Sequence, residues 1–183
     1  MKHGSMKTKI TINITLVLLI SWLVACGQTA QPKTTEPTVP AEEAKKRSVL
    51  PNVGESLGFV YQPNGKGWNY KDVSLDQADF QKWYDQNKNL FMEVINNLPP
   101  ELVLEIVGHT DESGPREAQP ELGKKGNLWY SQQRAQRVYD ALVKAGIPKD
   151  KIRAVGVAED ELIPGIDPYD QKQRRVTFRI NKK

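Results

Sequence analysis

Three short stretches of this chain carry side chains able to grip a charged small group. Gly108-His109-Thr110-Asp111 closes an apolar run, so Asp111 stands where a strand ends and its side chain leaves the sheet edge. Sixteen positions on, Asn127-x-x-Tyr130-Ser131-x-x-Arg134-Ala135 opens a segment of helical spacing. Offsets of four and three set Asn127, Ser131 and Arg134 along one broad helix face. Gln173-Arg174-Arg175-Val176 enters the last apolar alternation. There Arg174 and Arg175 point to opposite sides, leaving one to line a cleft and the other to brace the fold. A fixed carboxylate facing a fixed guanidinium is a receptor for a zwitterion. Arg suits the carboxylate end because its planar fork holds it bidentately, which Lys cannot do. Each residue also has a plainer reading: Asp111 as a turn residue, Arg134 paired with Asp140, Asn127 as a helix cap, Ser131 as a solvent-facing helix position, His109 as support for its loop.

The elements that must hold these residues alternate between two periodicities. Leu57, Phe59 and Tyr61 alternate as a first strand, followed by a turn over Pro63-Asn64-Gly65-Lys66-Gly67. Phe80, Trp83, Tyr84, Leu90, Phe91, Val94, Ile95 and Leu98 recur at helical spacing, with Asn87 the one polar interruption. Asp76 is the expected N-cap of this helix, and Pro99-Pro100 its stop. Leu102 to Val107 is apolar enough for a central strand. A polar loop runs from Thr110 to about Gly126. Asn127 is expected to cap a second helix whose stripe is Ala135, Val138, Leu142 and Ala145. Gly146 and Pro148 end it. Lys151–Val157 is a third strand, Glu159–Gln173 a loop, and Val176, Phe178 and Ile180 alternate in a last strand. The order β-α-β-α-β-loop-β calls for an α+β two-layer sandwich, a mixed sheet with both helices on one face.

The first fifty residues read differently. Lys7 and Lys9 precede an apolar run from Ile10 to Val24. At about 15 residues it falls short of the roughly 20 needed to span a membrane and matches a secretory signal. Met6 reads as its natural start, with Met1–Ser5 an extension. Leu23-Val24-Ala25-Cys26-Gly27 resembles the bacterial lipobox. That resemblance implies cleavage of a signal peptide over 1–25 and acylation of Cys26, with palmitate-type chains holding the protein on a membrane. Gly27, rather than Asp, implies the outer membrane, with the rest facing the periplasm. Residues 26–50, with Pro32, Pro37 and Pro40 among Thr, Gln and Ala, read as a flexible tether. Its reach is about 25–30 Å as a coil and about 80 Å drawn out. The folded domain is then 51–183.

Several function classes fall away. The net charge of +4 includes Lys2, Lys7 and Lys9. Without them, 26 cations become 23 against 22 anions, which gives no electrostatic ground for a nucleic-acid partner. The single cysteine is used by the anchor, and the only histidine beyond position 3 is His109. A Ser-His-Asp set could be built only around His109, a zinc site would need that histidine plus carboxylates, which is unusual, and nothing resembles GxSxG or a P-loop. The expectation is no enzyme, no metal and no cofactor.

The three motifs, with Gly146-Ile147-Pro148 and the Gly156…Glu161…Pro164 spacing, resemble the OmpA-like peptidoglycan-binding domain, whose family includes peptidoglycan-associated lipoproteins. The resemblance covers about Leu102 to Ile180 and extends more weakly back to about Gly54. It implies a βαβαββ fold. It also implies a site in which Asp111 takes the ammonium and Arg134 the carboxylate of meso-diaminopimelate in the peptidoglycan stem peptide. Asn127, Ser131, Thr110 and Arg174 complete that ligand set. Three departures stand out. Asp111 and Arg134 are 23 residues apart, lengthened by an insert around Pro115–Lys125 that could lid the cleft, add a partner surface or displace Asp111. Tyr130 stands where the family has Leu, and the first strand lacks the Phe-Asp-x-x-Ser entry. The rival expectation is a structural lipoprotein of an envelope-spanning secretion or motor complex, with protein partners and wall binding secondary or lost.

Overall fold

The computed structural model describes residues 53–183. The expected signal peptide, the expected lipidation site Cys26 and the expected tether fall outside the described residues. The first strand, β1, is Ser56–Tyr61, with Phe59 and Tyr61 turned inward. Gly58, at φ +76°, sits where its register with the last strand shifts, a conformation open to glycine. A single 3₁₀ turn follows at Pro63–Gly65.

The first helix, α1, spans Gln77–Asn97. As expected, Asp76 caps it, its carboxylate accepting from the backbone N–H groups of Ala78 and Asp79 at 2.9 and 3.1 Å. Asn87, the polar interruption of the stripe, donates to the Trp83 carbonyl one turn back and so carries no unmet demand. Strand β2 is Leu102–Gly108, buried along nearly its whole length. Helix α2 is Asn127–Lys144. It ends as read: Gly146, at φ +98°, donates to the Val143 carbonyl, and Ile147 to that of Leu142. Strand β3 is Ile152–Gly156 and β4 is Val176–Lys182.

The sheet order is β1-β4-β2-β3, with β2 and β3 parallel and the other two pairings antiparallel. Leu104, Ile106, Phe178, Ile180, Phe59 and Tyr61 pack with the stripes of both helices in one core, so both helices cover the same face. This is the α+β sandwich expected. Phe59, Phe91 and Phe178 form its aromatic centre, with ring centroids 4.7–5.1 Å apart. On the opposite face Glu105 sits between its register partners Arg153 and Arg179, receiving bonds of 2.6 and 2.8 Å.

Two glycines decide how closely α2 lies on the sheet. Gly108 and Gly156 are partners across β2 and β3. A Cβ on Gly108 would stand 2.0 Å from the Ser131 carbonyl oxygen, and one on Gly156 2.4 Å from the Gln132 nitrogen. Backbone lies on backbone there. The first turns of α2 are thereby brought over the strand ends.

Candidate functional site

At the C-terminal end of β2 the chain forms a cleft of about 140 Å³. Thr110 and Asp111 enter it from the strand end, Asn127, Tyr130 and Arg134 from α2, and Arg174 from the entry to β4. The remaining wall comes from Ser113 and Gly114, from the insert through Pro115 and Gly123–Gly126, and from Tyr70 and Lys71 in the loop before α1.

Arg134 is 1% exposed, yet its hydrogen bonds go to carbonyls rather than to acids. Nε donates to Asp72 O at 3.0 Å and Nη1 to His109 O at 3.2 Å. Its guanidinium carbon lies 5.7 Å from the Trp68 ring centroid. Nη2 has no protein partner among the described residues. Burial, and then the neighbouring charge of Arg174, push Arg134 down to about 10, with Asp111 and Asp72 opposing. It therefore stays charged at neutral pH. Asp140, its alternative partner, accepts from Gln136 instead.

Asp111 is equally buried, and its partner is Arg174, whose Nη1 donates to Oδ2. Ser113 adds bonds from its backbone N–H and its hydroxyl. Arg174 is in turn fixed by Nε donating to Trp68 O at 2.6 Å. Asp111 and Arg134 thus line one cleft, but the acid is shared with a second guanidinium.

The other expected residues divide. Thr110 lines the cleft, and its hydroxyl is buried without a hydrogen-bond partner. Asn127 does not cap α2: Gly126, at φ +80°, holds that position, and Asn127 is the first helical residue. Its side-chain amide donates to Asp111 O and to Glu159, bracing the acid's backbone. Ser131 lies outside the cleft and is fully buried. Its hydroxyl is used inside the fold, donating to Leu128 O and accepting from Ala158 N–H, because the tight α2–β2 contact turns it toward the strand ends. Arg175 points to the other face, where it donates to the carbonyls of Gln173 and Glu161.

Trp68, Tyr70, Lys71 and Asp72 were not singled out in the sequence. Their only signal is an aromatic and basic cluster, Trp68-Asn69-Tyr70-Lys71, in a stretch without periodicity. His109 is buried, bonded through Nε2 to the Thr177 hydroxyl at 2.8 Å. Burial and then the charges of Arg175 and Arg179 push it down to about 3. A base that weak, turned away from the cleft, is no proton carrier at neutral pH.

A profile of the OmpA family matches residues 75–175, more than half of the chain. The chain belongs to the OmpA family. This OmpA-family domain is also 34% identical over 98 residues to Outer membrane protein A of Serratia marcescens, covering 54% of this chain and 24% of that one. The chain therefore spans about a quarter of the length of that relative. Among solved structures it resembles the peptidoglycan-associated lipoprotein of Burkholderia pseudomallei, at 24% identity and a TM-score of 0.42, over 62% of this chain and 86% of that one. The periplasmic domain of Helicobacter pylori MotB gives 17% identity and a TM-score of 0.49, over 68% and 74% of the two chains. Among the described residues no helix is long and apolar enough to cross a membrane.

Proposed function

We propose that the domain binds peptidoglycan non-covalently, through the free end of meso-diaminopimelate in the stem peptide. Arg134 receives the carboxylate and Asp111 the ammonium. Lipidation at Cys26 would tether the domain to the outer membrane, facing the periplasm and its wall. The observation that carries this reading is Arg134: a buried, charged guanidinium in a cleft wall, with one amine unspent and no acid hydrogen-bonded to it among the described residues. The charges of Asp111 and Asp72 offset only part of the cost of burying it beside Arg174, and an incoming carboxylate relieves the remainder. The ammonium end finds a carboxylate already held by Ser113 and Arg174, next in sequence to Thr110, whose buried hydroxyl has no partner among the described residues. Membership of the OmpA family agrees with this assignment.

Co-sedimentation with purified sacculi tests the reading. The wild-type protein should pellet with diaminopimelate-type wall, and Asp111→Ala and Arg134→Ala should stay in solution. A second reading, a subunit of an envelope complex, is favoured by the exposed apolar side chains Leu122, in the insert, and Tyr169. Equal pelleting by all three proteins would favour it and sink wall binding through this cleft.

A further inference from the structure

Five cations and one anion line the cleft: Lys71, Lys124, Lys125, Arg134 and Arg174 against Asp111. Asp111 is already paired with Arg174. One carboxylate of a diamino acid does not use up the charge that remains. Lys124 and Lys125 come from the insert, whose acids Glu117 and Glu121 lie outside the lining.

The insert is fixed at several points. Gln119 and Lys124 exchange backbone bonds at 2.8 and 3.1 Å across a turn that Gly123 closes at φ +64°. Asn127 N–H donates to Pro115 O, and Leu128 N–H to Arg116 O. The Arg116 guanidinium grips both oxygens of Asp160 in the facing loop. Gly126 passes so close that a Cβ would stand 2.5 Å from the Glu117 carbonyl carbon. Lys125 Nζ lies 3.9 Å from the Trp129 ring centroid, which orients the ammonium without cancelling it. Neither lysine is paired with an acid among the described residues.

We infer that Lys124 and Lys125 receive a second free carboxylate of the wall peptide, on the residue next to the diamino acid, so that the domain prefers stem peptides whose carboxyls are not amidated. This rests on the proposed function. Both lysines are solvent-exposed, so their preference is modest, roughly two- to fivefold each, and weakens with salt.

The test is a titration of the full chain with two synthetic wall peptides ending in meso-diaminopimelate, one with the neighbouring carboxyl free and one with it amidated. Wild type should prefer the free acid by about fivefold or more, less so as salt rises from about 50 to about 300 mM. The double variant Lys124→Gln, Lys125→Gln should bind both peptides as weakly as wild type binds the amide, with an unchanged melting temperature. Equal wild-type binding of the two peptides, or a double variant that keeps the preference, overturns the inference. If neither peptide binds wild type, the proposed function itself fails and takes the inference with it.

Discussion

Asp111 and Arg174, 63 residues apart in sequence, form a buried ion pair in the wall of the cleft. The pair joins the end of β2 to the entry of β4, and Arg174 is locked in turn onto the Trp68 carbonyl. An acid held this way is preorganised: its oxygens are fixed before any ligand arrives, and under the proposed function an ammonium has only to share them.

Removing Arg174 should therefore cost both stability and order at the site. Arg174→Ala leaves a buried carboxylate without its cation, and breaking such pairs costs about 3–5 kcal/mol. Urea unfolding should show a loss of this size, and Arg174→Lys a smaller one. A loss below about 1 kcal/mol would mean that Asp111 is held mainly by Ser113.

The two glycines beneath α2 give a second prediction. Gly108→Ala drives a methyl into the Ser131 carbonyl at 2.0 Å, and neither backbone can retreat without lifting α2 from the sheet. The variant should lose about 3 kcal/mol or more in urea unfolding. Gly114→Ala, where nothing lies within 4 Å but φ is +92°, should lose only about 1 kcal/mol.

Acid should weaken the fold in two stages. His109 is held neutral down to about pH 3 when folded, whereas its unfolded value is near 6.5, so the unfolded chain binds the proton first. Its stabilising contribution is complete above about pH 6.5 and is lost as pH falls toward 3. At pH 4.5 the loss amounts to about 2–3 kcal/mol. For Glu105, burial alone would raise the carboxyl, but the hydrogen bonds from Arg179, Arg153 and Asn181 outweigh it and hold it below its usual range. That contribution is present above the unfolded value of about 4.3 and is lost as pH falls through the lower folded value. Urea unfolding from pH 7 to 3 should show both stages. His109→Gln should flatten the upper one and Glu105→Gln the lower one. An unchanged profile in either variant would contradict its assignment.

The elements were legible because each is punctuated locally. Asp76, Pro99-Pro100 and Gly146 mark helix ends through backbone chemistry that neighbours within a turn decide, and Leu102–Val107 is too apolar for an edge strand. The site was legible only in part. Asp111 and Arg134 do share a cleft, but the pairing of Asp111 with Arg174 crosses most of the domain and leaves no spacing to read. Trp68 and Asp72 meet Arg134 from a loop with no periodicity. Asn127 has a real preference for the cap position, but Gly126 takes it because only a residue without Cβ passes Glu117 and Ala118. The insert, read as a lid, a partner surface or a disturbance, supplies part of the cleft's wall and also carries the exposed Leu122.

The most direct test of the account is equilibrium binding of free meso-diaminopimelate to wild type and to Arg134→Lys. The lysine keeps the charge and loses the planar fork that bonds His109 O and Asp72 O and, under the proposed function, a ligand carboxylate as well. Wild type should bind saturably and Arg134→Lys at least about tenfold more weakly, the equivalent of about 1.4 kcal/mol. Equal binding by the two proteins, or none by wild type, would contradict a carboxylate seat at Arg134.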